Sequence, residues 1–172
     1  MNVFLVGPMG SGKSAVGRQL AQRLDLDFID SDAEIEARTG VDIAYIFGRE
    51  GEAGFRSREA EVIDALSRRD RVLVSTGGGA ILDASTRERL RARGRVVYLR
   101  TSVDQQLART RRSNDRPLLN NDDPRGTLER LFEQRAPLYA EVAEFVVDTD
   151  GRKVKAVVDQ ICHQLGVDGV EP

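Results

Sequence analysis

The sequence predicts an α/β protein, a three-layer fold in which a five-stranded parallel sheet carries helices on both faces. Three observations predict it. Short apolar runs alternate with stretches of helical period along the chain. The clearest runs lack polar alternation, as strands buried on both faces do. A glycine-rich loop of phosphate-binding pattern stands where the first run gives way to the first helical stretch.

Asn2–Val6 is a short apolar run that stops at Gly7, and Lys13–Leu24 follows as a helix with Val16, Leu20 and Leu24 at helical spacing. Phe28–Asp30 reads as a second strand and Ala33–Arg38 as a short helix closed by Gly40. Glu52–Arg69 is a longer helix whose inward stripe is Ala60, Ile63 and Leu66. Arg71–Thr76 is a strand bounded by Gly77, Gly78 and Gly79. Ala84–Arg93 reads as a helix ending at Gly94, which is expected to supply a left-handed cap. Arg95–Leu99 is a strand and Val103–Arg111 a helix. From Arg112 to Pro124 no apolar period appears, so this is a long loop. Leu128–Ala140, Phe145–Val147 and Val154–Leu165 complete the chain as helix, strand and helix.

At 172 residues and 19.0 kDa the chain is expected to form one domain, residues 1–172. Lys and Arg number 26 against 28 Asp and Glu, a net charge of −2, which argues against a protein devoted to nucleic acid or anionic membrane. No stretch approaches the roughly 18 apolar residues of a membrane span. The single cysteine, Cys162, offers neither a disulfide nor a zinc cluster, and a cytoplasmic protein is expected. His163, the one histidine, has no partner at metal or triad spacing, and both residues read as structural.

Gly7-Pro8-Met9-Gly10-Ser11-Gly12-Lys13-Ser14 is an intact G-x-x-x-x-G-K-S between a strand and a helix. Its glycines let successive N–H groups curl inward around phosphate oxygens, and the helix N-terminus completes the anion nest. Lys13 brings a compact positive charge to the β- and γ-phosphates, and the Ser14 hydroxyl suits Mg²⁺. A purine nucleotide is expected here. The loop alone does not separate a kinase from a GTPase switch or an ATPase.

Four further groups gather around it. Asp30-Ser31-Asp32 closes the second strand; on an extended chain both carboxylates point the same way, one for Mg²⁺ and one for an acceptor hydroxyl. The alternative is an Asp pair capping the next helix. Glu59 lies three residues beyond Arg56 on one helix face and can brace its guanidinium for a bidentate grip on a carboxylate. Spacing alone favours an ordinary surface ion pair. Three glycines, Gly77 to Gly79, let a ligand approach the backbone with no Cβ in the way. The Arg112–Pro124 loop, with Arg109, Arg111 and Arg112 at its root and Arg116 within, reads as a lid or as a solvated linker. Arg135 is a candidate for the same cleft.

Together these residues resemble the shikimate kinase family. The resemblance rests on the phosphate loop, Asp30-x-Asp32, Phe55-Arg56-x-x-Glu59, Thr76-Gly77-Gly78-Gly79, Arg116-Pro117-Leu118-Leu119 and Arg135-x-x-x-Tyr139, in order and end to end. It implies the nucleoside-monophosphate-kinase type of P-loop fold and the phosphorylation of shikimate by ATP, on the route to chorismate and aromatic amino acids. It implies catalytic roles for Lys13, Asp32 and Arg116. ATP would lie on Gly10, Ser11, Gly12, Lys13, Ser14 and Ala15, with Arg109, Arg116 and Arg152, and Mg²⁺ on Ser14 and Asp30. Shikimate would lie against Asp32, Phe47, Phe55, Arg56, Gly77, Gly78, Gly79 and Arg135, within a binding region at about 31–60 and under a lid at about 111–124. A monomer is expected. The rivals are a gluconate or nucleoside-monophosphate kinase of the same fold, and a nucleotide-binding switch without acceptor chemistry.

Overall fold

A computed structural model describes residues 1–110 and 122–167. Its five strands are all parallel: β1 (Val3–Val6), β2 (Asp27–Asp30), β3 (Val72–Ser75), β4 (Arg95–Arg100) and β5 (Phe145–Asp148), in the spatial order β2-β3-β1-β4-β5. The helices are α1 (Lys13–Leu24), α2 (Ser31–Thr39), α3 (Ile43–Ser67), α4 (Ala84–Arg93), α5 (Val103–Thr110), α6 (Pro124–Val142) and α7 (Val154–Leu165), with a 3₁₀ turn at Ala80–Leu82. The expected three-layer fold is present.

Alternation along the strands sorts side chains between two cores. Phe4, Val6, Val72, Val74, Val96 and Tyr98 face one side, where α2, α3, α4 and α6 cover them with Ile35, Ile63, Leu90 and Tyr139. Val3, Leu5, Leu73, Val97, Leu99 and Val147 face the other, under Val16 and Leu20 of α1 and Val158 and Ile161 of α7. β1 is buried end to end because it has a strand on each edge and helices on both faces. Among the described residues no helix is long and apolar enough to cross a membrane.

Three local expectations are corrected. The helix predicted from Glu52 begins at Ile43: Asp42 caps it, its carboxylate accepting the Tyr45 N–H at 2.7 Å, and Gly48 and Gly51 had masked its period. Its inward stripe is Phe55, Glu59, Val62, Ile63 and Leu66, with Ala60 at the margin. Gly94 is extended, with φ −174°, rather than left-handed. Glycine is required there by packing, since a Cβ would meet Asn2 O and Phe4 Cε2 at 2.6 Å.

Gly51 divides α3 into two half-helices. Its φ of 71° and ψ of −179° lie where only glycine is comfortable. Across it, the Glu50 carboxylate accepts two bonds of 2.6 and 2.7 Å from Arg58, and a Cβ on Gly54 would collide with the Glu50 Cβ. The kink turns the first half-helix so that Phe47 lies on Phe55, ring centroids 4.8 Å apart.

A Cβ at Gly51 and one at Gly48 both meet open space, yet the two positions differ in backbone. Gly51→Ala is expected to destabilise the fold by about 1–3 kcal/mol. Gly48→Ala, in ordinary helix, is expected to stabilise it by up to about 1 kcal/mol. Urea denaturation of the two variants checks the opposite signs; equal effects would show that the kink is not held by the Gly51 conformation.

Candidate functional site

Parallel strands place all their carboxyl ends at one edge, and β1, central in the sheet, ends there in the phosphate loop. Gly7, Gly10 and Gly12 take φ values of 148°, 76° and 87°, which curl the loop over the N-terminus of α1. Gly7 has a second constraint: a Cβ would stand 2.5 Å from Leu99 O of β4. Lys13 arches back over the loop, its ammonium donating to Gly7 O at 2.7 Å and Pro8 O at 2.9 Å. Ser11 is buried, while Ser14 and Ala15 are exposed in the first turn of α1.

On the β2–β3 side the chain turns helical at Ser31, which corrects the extended geometry expected of Asp30 and Asp32. Asp30 ends the strand and caps α2, one oxygen accepting the N–H groups of Asp32 and Ala33 at 2.9 and 3.1 Å. Its other oxygen accepts the Ser14 hydroxyl at 3.1 Å. The capping reading is thus borne out for Asp30, and its second oxygen is left facing Ser14. Among the described residues no group of three or more His, Cys, Asp or Glu is placed to hold a metal. A pair of oxygen donors beside a phosphate loop instead suits Mg²⁺, which keeps several waters and takes phosphate oxygens as ligands.

Asp32, in the first turn of α2, reaches the glycine run after β3. A Cβ on Gly77 would stand 2.8 Å from Asp32 Oδ1 and 2.7 Å from Glu59 Oε2, so both carboxylates close around this backbone. The Gly77 N–H is fixed by the Ser31 hydroxyl at 3.1 Å. On Gly79 a Cβ would strike the Arg56 guanidinium at 2.3 Å. Gly78 sits between the phosphate loop and Arg135, with Met9 N and Arg135 Nη1 each 3.5 Å from a Cβ position there. The glycines thus admit charged side chains close to the backbone.

The Arg56–Glu59 pair is no surface pair. Arg56 Nη1 bonds Glu59 Oε1 at 2.9 Å, and Glu59 is only 2% exposed. Burial drives the Glu59 carboxyl up to about 7, against the pull of Arg56, with Asp32 adding to the rise. Glu59 Oε2 and the Nε atoms of Arg56 and Arg135 are buried without a hydrogen-bond partner among the described residues. Arg135, on α6, is itself 4% exposed. The half-buried guanidinium of Arg56 and the buried one of Arg135, beside the stacked rings of Phe47 and Phe55, have the chemistry to hold a compact cyclic carboxylate.

The β4–β5 side holds a different set. Arg109 Nη1 donates to Gly10 O at 2.9 Å, placing its guanidinium over the phosphate loop. Arg152 is directed elsewhere: it bonds Asp148 O, Gln160 Oε1 and Ala156 O across β5 and α7. Its turn still reaches α5, because Gln105 accepts the Gly151 N–H at 3.1 Å. Arg116 lies outside the described residues, as does the expected lid up to residue 121. Two residues escaped the sequence reading as site components. Tyr139, whose hydroxyl bonds Gly78 O, was legible one helical turn beyond Arg135. Gln106, which donates to Met9 O at 2.9 Å, carried no signal, because only the packing of α5 brings it to the loop.

Comparison with known proteins agrees with this geometry. A family model described as shikimate kinase matches residues 9–166. Shikimate kinases of Shewanella frigidimarina and Alteromonas mediterranea are 58% and 55% identical, over 96% of this chain and 96% and 97% of theirs. The structure of shikimate kinase from Acinetobacter baumannii in complex with shikimate superposes with a TM-score of 0.94 at 45% identity, covering 99% of this chain and 95% of that one. A phosphate loop, a cluster of carboxylates and guanidiniums beside it and likeness along nearly the whole chain converge on one conclusion: the chain belongs to the shikimate kinase family.

Proposed function

We propose the division of labour by which this cleft carries out the family's reaction, transfer of the γ-phosphoryl group of ATP to the 3-hydroxyl of shikimate. The observation that carries it is the pair of guanidiniums, half-buried Arg56 and buried Arg135, gathered around Gly77–Gly79 beside Asp32 and the phosphate loop. Arg56 and Arg135 grip the substrate carboxylate, the Gly77–Gly79 backbone lines the same pocket, and Phe47 and Phe55 wall the ring. Glu59 holds Arg56 in place. Asp32 orients the 3-hydroxyl and accepts its proton as oxygen bonds to the γ-phosphorus and the bond to the bridging oxygen of ADP breaks. Gly10, Ser11, Gly12 and Ala15 present backbone N–H groups to the phosphates. Lys13 and Arg116 stabilise the charge on the transferring group.

Ser14 and Asp30 would hold Mg²⁺, which when bound neutralises charge on the β- and γ-phosphates. The adenine lies toward the β4–β5 side, against Arg109 and the turn that carries Arg152. Every residue in this reading comes from one chain, and we infer a monomer that sediments at its own mass of 19.0 kDa.

ADP release from Mg·ATP, followed in parallel with shikimate, gluconate, AMP and no acceptor, tests the substrate. Turnover is expected with shikimate alone; turnover with another acceptor would overturn the pocket reading. Asp32→Asn is expected to lower kcat by at least about 100-fold. Arg56→Lys is expected to weaken shikimate binding more than ATP binding, since lysine makes no bidentate grip. Equal losses for both ligands would remove Arg56 from the substrate pocket.

Glu59 gives a stability prediction for the ligand-free protein. Its folded pKa of about 7 lies above its ordinary value of 4.5, so between these values the native state binds more proton than the unfolded chain. Its contribution is therefore full below about pH 4.5 and falls away as pH rises through 7, by at most about 3 kcal/mol. Glu59→Gln is expected to flatten the decline of stability between pH 5 and 8, measured by urea denaturation. An unchanged slope would contradict the assignment.

A further inference from the structure

A second cavity, of about 600 Å³, lies between α2 and the two halves of α3 and shares no lining residue with the catalytic cleft described above. Its floor is apolar: Ile35, Ile46 and Val62, all nearly fully buried, with Val41 beside them. Besides Thr39 and Tyr45, its remaining lining is charged, with Arg38, Arg49 and Arg58 against Glu50 and Glu61. These arginines come from three different segments: α2, the half-helix before Gly51 and the half-helix after it. Arg58 is committed to Glu50 by two short bonds and Arg38 to Glu34 at 2.9 Å. Arg49 makes no hydrogen bond or ion pair among the described residues. The ring of Tyr45 stands 53% exposed over the same cavity.

The volume falls within the range of small-molecule sites, about 300–1,000 Å³, and the lining has their composition of apolar floor with few polar groups. The charges select among ligands. Glu34 neutralises Arg38 and Glu50 neutralises Arg58, so Arg49 is the lining guanidinium left to hold one carboxylate, while Glu50 and Glu61 oppose a phosphate dianion. The apolar floor and the Tyr45 ring require a flat, apolar body on the anion. We propose that this cavity is a second ligand site, for an aromatic monocarboxylate whose carboxylate is held by Arg49 at the mouth and whose ring lies on Ile46, Val62 and Tyr45.

The site depends on the Gly51 kink, because its two walls are the two halves of α3. It does not depend on the roles proposed for the catalytic residues. Ile46 and Arg58 line the cavity while their chain neighbours Phe47 and Glu59 serve the cleft, so the two sites use different faces of the same helices.

Fluorine NMR of 4-fluorophenylacetate titrated onto the full chain tests this, with 4-fluorobenzyl alcohol as the uncharged counterpart. Saturable binding of the acid is expected below about 10 mM, with none of the alcohol. Arg49→Ala is expected to weaken it about tenfold, as loss of one charge-assisted contact does. This variant should keep basal turnover, which also shows that it folds. Saturating shikimate is expected to leave the acid bound. Absence of saturable binding, equal binding of the alcohol, indifference to Arg49→Ala or displacement by shikimate would each overturn the proposal.

Discussion

β1 occupies the middle of a parallel sheet, and the chemistry of the molecule is arranged around that position. A parallel strand buried on both faces delivers its carboxyl end to one edge, where the loop that follows is exposed to ligand yet walled on both sides. With the order β2-β3-β1-β4-β5, the phosphate loop is flanked by Asp30 and Gly77 on one side and by Thr101 and Asp150 on the other. Asp32, Arg56 and Glu59 collect on the β2–β3 side, where Arg135 of α6 approaches Gly78. The β4–β5 side holds Arg109 and the turn after β5. The order of strands separates these two sets of groups.

Around Gly77–Gly79 the dominant constraint is electrostatic. Asp32 and Glu59 face Arg56 and Arg135 where little water reaches, and an unbalanced charge there carries a large desolvation penalty. The raised Glu59 carboxyl is the visible consequence: near neutrality its proton adjusts the charge of the cluster. Gly77 and Gly79 make the cluster possible, because side chains at those positions would strike Asp32, Glu59 or Arg56. The missing Cβ atoms thus admit these charged groups against the backbone. Tyr139, held in low dielectric with its hydroxyl on Gly78 O, ties α6 to this run and so couples Arg135 to the loop it serves.

The kink at Gly51 has a comparable double role. By bending α3 it places Phe47 over Phe55 on one face and opens the arginine-lined cavity on another. The Glu50–Arg58 pair lies across the bend and is largely solvated, so the bend rests chiefly on backbone conformation and apolar packing.

The sequence by itself determined the local features: the phosphate loop, the five strands from their apolar runs and most helices from their period; the site around Asp32, Arg56, Gly77–Gly79 and Arg135 was legible through the resemblance to a family, not through spacing alone. The local features are legible because glycine geometry, side-chain chemistry and the 2.0 and 3.6 periods act over a few residues. Arg56 and Glu59 mark the boundary. Their spacing favours a solvated surface pair, and only the glycine run after β3 and helix α6, far away in sequence, enclose Glu59 in low dielectric. The same holds for the Asp30 cap that also meets Ser14, for Gly94 pressed against Asn2 and Phe4, for Gln106 on the phosphate loop, and for Arg152 drawn away to Gln160. Tertiary structure alone decided these, because burial and charge interaction are properties of whatever packs against a residue, and in this fold the packing partner comes from a distant element.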